Sequence, residues 1–82
     1  MHFVYVLQSI EYKTRYIGST ENVRKRLGEH NSGRVRYTKS RKPWKLLYQE
    51  EFFTRGEAIK RELFLKSGQG RKFLDNQLKN CL

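Results

Sequence analysis

Five side chains in this sequence have types and spacings that could do chemistry together: Tyr5, Tyr16, Arg26, His30 and Glu62. The stretch RYIGSTENVRKRLGEH, residues 15–30, runs from a strand-like Tyr16-Ile17-Gly18 straight into a helical pattern. With Val23 at the origin of a wheel, Leu27 falls near ~40°, His30 near ~340° and Arg26 near ~300°. Arg26 and His30 therefore stand one turn apart beside the apolar stripe, while Arg24, Lys25 and Glu29 point away. A cation that binds anions and an imidazole that titrates near neutral pH are components of an active site. Each also has a plain structural explanation: a snorkelling arginine, a histidine satisfied by a carbonyl at a helix end, and tyrosines that are ordinary sheet aromatics.

Glu62 stands out in a second helical pattern, residues 55 to 66. With Ala58 at the origin, Ile59, Leu63 and Leu65 lie at roughly 100°, 140° and 340°, so the apolar arc centres near ~60° and Glu62 sits at about 40°. Phe64 points the other way. An acid in the middle of a buried face is costly unless it is paired or bound to a metal. A Glu62–Lys66 pair at i,i+4 is the structural alternative.

The elements that must position these residues can be read along the chain. Phe3-Val4-Tyr5-Val6-Leu7 is apolar on both alternating faces, as in a central strand covered on both sides. Arg15 to Ser19 forms a second strand. A hairpin symmetric about the Ile10–Glu11 bond would place Tyr5 opposite Tyr16. Asn22 or Thr20 can cap a helix that runs to about Asn31 and stops at Gly33. Residues 34 to 44 read as a loop, and Pro43 precedes a third strand, Lys45 to Phe52. Thr54 and Glu57 form a capping box for the helix Arg55 to Lys66. Gly68 and Gly70 break it, and a last helix runs from about Arg71 to Lys79. The pattern is ββαβαα over one domain, residues 1–82, with neither repeat nor linker.

Composition narrows the class of partner. The 82 residues carry 18 Lys and Arg against 8 Asp and Glu, for a net charge of +10. Five Tyr, five Phe and Trp44 are too many aromatics for a disordered basic tail. A field of this sign points first to nucleic acid and second to anionic membrane. No apolar run is long enough to span a bilayer, and the N-terminus lacks the form of a secretory signal. The single cysteine, Cys81, cannot form an internal disulfide. Together these features suggest a cytoplasmic protein of a bacterial or similar cell. The sequence leaves the oligomeric state open.

The residues also carry a resemblance. Tyr5 on the first strand, YIGSTENVRKRLGEH after it and EAIKRELFLK further on resemble the GIY-YIG nuclease domain, from Phe3 to about Leu74. The likeness is greatest to small stand-alone bacterial members. It implies an α/β (α+β) sandwich, a three-stranded antiparallel sheet flanked by helices. Carried over position by position, Tyr5 matches the GIY tyrosine, Tyr16 the YIG tyrosine, Arg26 and His30 the helical pair, and Glu62 the metal ligand. The GIY element reads Phe3-Val4-Tyr5 here, so its glycine is missing and its tyrosine remains. The family often adds an asparagine after the glutamate helix; Asn76 is the candidate here and Asn80 a poorer one.

The activity implied by the resemblance is a divalent-metal-dependent endonuclease acting on DNA with low sequence specificity. Mg²⁺ or Mn²⁺ would sit on Glu62 and keep most of its water. Tyr5 would be the general base, with its pKa tuned down by Arg26 and the metal. His30 would receive its proton, Arg26 would contact a phosphate oxygen, and Tyr16 would orient water or phosphate. The loop cations Arg34, Arg36, Lys39, Arg41, Lys42 and Lys45 would track the backbone, with Tyr37 and Trp44 available to stack on a base. Trp44 in the core is the structural alternative. A binding module of the same fold with little or no cleavage of its own is the competing function. An RNA-binding protein also fits the charge but leaves Glu62 and the tyrosines unexplained.

Overall fold

A computed structural model describes residues 1–79; Asn80 and Cys81 lie outside the described residues. Strand β1 (His2–Ser9) lies between β2 (Arg15–Thr20) and β3 (Trp44–Phe52) in an antiparallel sheet of order β2-β1-β3. Helix α1 (Val23–Asn31) follows β2, and helices α2 (Arg55–Lys66) and α3 (Gly68–Lys79) follow β3. The order ββαβαα is the one expected, and the fold is α+β.

The alternation of β1 divides the interior in two. Val4 and Val6 face Ala58, Leu65, Leu74 and Leu78 of α2 and α3. Tyr5 and Leu7 face Trp44, with Tyr16, Val23 and Leu27 packed around them. Successive strand residues point to opposite faces, so the continuous apolar run of β1 serves both layers. The first layer is apolar. The second carries the polar chemistry.

The hairpin register differs from the expectation. Tyr5 pairs with Gly18, and Tyr16 pairs with Leu7. The turn is responsible: Ser9 N donates to Thr14 O, Lys13 N donates to Ser9 O, and Lys13 takes a positive φ of 63°. This closes the hairpin one residue later on each strand than a turn centred on Ile10–Glu11. The two-residue slip keeps both tyrosines on the same face.

Two further expectations change in the helices. Gly70 does not break a helix; it lies inside α3, which begins at Gly68. Ser67 caps that start, accepting from Gly70 N through its hydroxyl at 3.2 Å. A Cβ on Gly70 would collide with the Phe64 carbonyl and the Leu65 backbone, so this glycine permits close approach of α3 to the end of α2. In α2 the capping box on Thr54 and Glu57 forms as expected. Its buried face, however, is rotated from the expected arc: Ala58 and Leu65 are buried, Phe64 packs on the core, and Ile59 and Leu63 are exposed. Arg61 sets this orientation. Its guanidinium binds both oxygens of Glu50 on β3, at 2.7 and 3.1 Å, and lies against the Phe64 and Phe73 rings.

Candidate active site

Four of the five singled-out residues meet on the α1 side of the sheet. Tyr5 is carried by the central strand and is buried. Its ring extends over Gly18, where a Cβ would stand 2.6 Å from the phenol oxygen. The YIG glycine thus makes room for the tyrosine of the neighbouring strand. The Tyr5 hydroxyl reaches His30 Nε2 at 3.0 Å. Tyr16 packs its ring 4.9 Å from the His30 ring and 6.3 Å from that of Tyr5.

His30 is 0% exposed at the end of α1. Asn22 caps the start of this helix, accepting from Lys25 N at 3.0 Å. The helix directs Arg26 and His30 toward the sheet one turn apart, as the wheel predicts. The second ring nitrogen of His30, Nδ1, lies 2.7 Å from the Thr38 hydroxyl. The histidine is therefore held by side chains on both sides, and the carbonyl alternative does not describe it.

Arg26 binds Glu29 at 2.9 Å, and its charge also acts on the Tyr5 hydroxyl. Burial pushes the Tyr5 phenol up to about 12, and the Arg26 guanidinium opposes this only in part. The expected lowering of the Tyr5 pKa invoked Arg26 and the metal together; Arg26 by itself does not outweigh desolvation. Burial, with the charge of Arg26, lowers His30 below its ordinary value. At neutral pH the pair is a phenol and a neutral imidazole.

Glu62 belongs to α2 and stands apart from these contacts. Its side chain is 19% exposed and accepts from Lys66 Nζ at 2.7 Å, so the i,i+4 pair is present. Its negative charge nonetheless acts on Tyr5, adding slightly to the upward push. Among the described residues no group of three or more His, Cys, Asp or Glu gathers to hold a metal. A single carboxylate fits a hard cation that keeps several waters and takes its remaining ligands from substrate phosphate.

Arg34, Arg36, Lys39, Arg41 and Lys42 of the loop and Lys45 at the start of β3 are all exposed. Lys39–Arg41 forms a short 3₁₀ turn within the loop. Trp44 is core, 5% exposed, and donates through its indole to Thr38 O at 2.9 Å. Tyr37 is 86% exposed and sits 6.4 Å from Tyr16. Both tyrosines line a cleft of about 1040 Å³ whose rim includes Lys13, Arg15, Lys66 and Arg71. Asn76 is exposed on α3.

Two residues of this region escaped the sequence reading. Thr38 is buried against His30, and Asn31 clamps the start of β3, accepting from Trp44 N at 2.6 Å and donating to Trp44 O at 3.0 Å. Nothing in their local sequence marks them, since both act across a loop. The one available signal was a threonine within a run of exposed cations.

Comparison with known proteins agrees with this arrangement. Residues 1–75 match the family described as the GIY-YIG catalytic domain. The chain is 38% identical over 74 residues to a UPF0213 protein of Staphylococcus saprophyticus, covering 89% of each chain. It is 44% identical over 78 residues to a UPF0213 protein of Listeria innocua, covering 94% of this chain and 84% of that one. The solution structure of a UPF0213 protein of Bacillus halodurans superposes with a TM-score of 0.55 at 30% identity, over 93% of this chain and 83% of the other. A match over so much of the length, with the strand tyrosines and the helical arginine and histidine meeting on one side of the sheet, makes this chain a member of the GIY-YIG family.

Proposed function

We propose that the protein is a divalent-metal-dependent endonuclease that hydrolyses phosphodiester bonds in DNA. The observation that carries this reading is the contact of the Tyr5 hydroxyl with His30 Nε2 at 3.0 Å, with the charge of Arg26 acting on both groups. A buried phenol, a neutral imidazole and a cation around one oxygen form a proton-transfer site beside an anion-binding group. Family membership supplies the coarser part, a nuclease domain. Metal dependence and the choice of DNA go beyond that membership and are proposed from the chemistry of the site.

In this reading Tyr5 passes its proton to His30 Nε2 as it takes one from the attacking water. Arg26 neutralises a phosphate oxygen and Tyr16 orients the phosphate or the water, so that most of the acceleration is positioning and electrostatics. Glu62 would hold Mg²⁺ or Mn²⁺, whose charge would polarise the phosphate and stabilise the departing 3′ oxygen. Lys66 must yield the carboxylate oxygen it occupies. The exposed loop cations and the rim of the cleft beside Tyr16 and Tyr37 offer a path for the flanking backbone. Tyr37 offers an open ring for stacking.

The Glu62–Lys66 pair at 2.7 Å also suits a second reading, a module that binds nucleic acid and cuts little by itself. A nicking assay on supercoiled and branched DNA with Mg²⁺, Mn²⁺ or EDTA separates the two. Cleavage that requires metal and vanishes in Glu62→Ala supports the nuclease. Binding without cleavage under every metal supports the module.

A further inference from the structure

Thr38 is buried in a loop whose other polar residues are largely exposed. Its hydroxyl lies 2.7 Å from His30 Nδ1 and 3.4 Å from Val35 O. Its carbonyl accepts from the Trp44 indole. Among the described residues no buried side-chain polar atom lacks a partner, and the protons of this chain of contacts follow from requiring that each donor meet an acceptor.

The Tyr5 hydroxyl carries one proton and lies 3.0 Å from His30 Nε2, and the charge of the Arg26 guanidinium acts on it. Arginine only donates. The Tyr5 proton therefore points at His30, and Nε2 must be the unprotonated nitrogen. The neutral ring then carries its hydrogen on Nδ1, which donates to Thr38 Oγ1. Thr38 in turn donates to Val35 O. The reverse order, with Thr38 donating to Nδ1 and Nε2–H donating to Tyr5, would leave the Tyr5 proton without an acceptor. Only one direction satisfies every group.

We infer that Thr38 is a positioning residue that fixes His30 as the Nδ1–H tautomer and so keeps the Nε2 lone pair aimed at the Tyr5 hydroxyl. Its catalytic consequence rests on the nuclease reading above. When Tyr5 loses its proton, the O–H bond breaks and an Nε2–H bond forms. The resulting imidazolium donates from Nδ1 to an oxygen already in place. The phenolate takes a proton from water, and the hydroxide so formed attacks phosphorus as the bond from phosphorus to the 3′ oxygen breaks. Without the Thr38 oxygen neither tautomer satisfies every group: Nδ1–H would be buried without an acceptor, and moving the proton to Nε2 would leave the Tyr5 proton without one, so the preference for a bare Nε2 is lost. The same residue anchors the basic loop through its carbonyl, so loop placement and histidine tautomer share one support.

The test uses ¹⁵N-histidine-labelled protein and long-range ¹H–¹⁵N spectra, with a His2 variant to assign the rings. Wild type is expected to show His30 with Nδ1 protonated and Nε2 bare. Thr38→Ser should keep that pattern, and Thr38→Val should lose it, with Nε2–H populated beside Nδ1–H. In the nicking assay Thr38→Val should lose about 100-fold in rate, while Thr38→Ser stays within a few-fold of wild type. An Nε2–H tautomer in wild type would overturn the inference, as would an unchanged tautomer in folded Thr38→Val. The spectra need no cleavage, so a failed nuclease reading and a failed tautomer assignment give different results. If Thr38→Val does not fold, wild type and Thr38→Ser still decide the assignment.

Discussion

Gly18 and Tyr5 are directly paired across β2 and β1, and the phenol of Tyr5 occupies the space where a Gly18 side chain would begin. The glycine of the YIG element is therefore a packing requirement of a tyrosine 13 residues earlier in the sequence. Gly18→Ala would push the Tyr5 ring off His30. Overpacking of this kind costs about 1–3 kcal/mol. Urea unfolding should show that loss, and the nicking rate should fall more steeply than stability alone explains, because the Tyr5–His30 contact at 3.0 Å is lost with it.

Stability should fall at both ends of the pH range for reasons centred on the same pair. His30 is held below its ordinary value by burial and by Arg26. As pH drops through about 6.5, the unfolded chain takes up the proton first, so stability present above that range is lost on acidification. Tyr5 is raised to about 12 by burial. Between about 10 and 12 the unfolded chain releases its proton while the folded one keeps it, so stability also falls as pH rises through that window. Urea midpoints from pH 5 to 8 for wild type and His30→Gln check the acid limb. The variant should lose the dependence below neutrality that His30 contributes.

Arg61 joins three elements at once through Glu50, Phe64 and Phe73. Tyr48 adds a hydrogen bond to the same carboxylate. Arg61→Ala removes a two-pronged bond and leaves Glu50 short of its partner, at a cost of about 1–3 kcal/mol. Arg61→Lys should not restore the loss, because an ammonium cannot match both carboxylate oxygens or lie flat on the rings. Thermal unfolding of the two variants measures this.

The exposed loop cations make a salt-dependence prediction. Each duplex phosphate contact contributes about 0.9 to the slope of log affinity against log salt. Replacing Arg36 and Lys42 by alanine should reduce the slope by about 2 if both contact phosphate, with little change in sequence preference. Fluorescence anisotropy on labelled DNA between low and moderate salt reads the slope directly. An unchanged slope would remove these two side chains from the interface and direct attention to the rim at Lys13 and Arg71.

Much of this protein was legible in one dimension because the relevant physics is local. The apolar run of β1 required cover on both faces, and Val4–Val6 and Tyr5–Leu7 divide between two layers. The capping box at Thr54, the cap at Asn22 and the one-turn spacing of Arg26 and His30 follow from backbone geometry within a few residues. What required the tertiary structure was everything set by contacts between distant segments. The conformation of Lys13 moved the hairpin register, the contact of Arg61 with Glu50 rotated α2, and the approach of α3 to Phe64 explained Gly70. Thr38 and Asn31 acquire their roles only when the loop folds back onto α1 and β3. The pKa of Tyr5 belongs to the same class: the sequence places a cation nearby, but the burial that outweighs it exists only once the layers close.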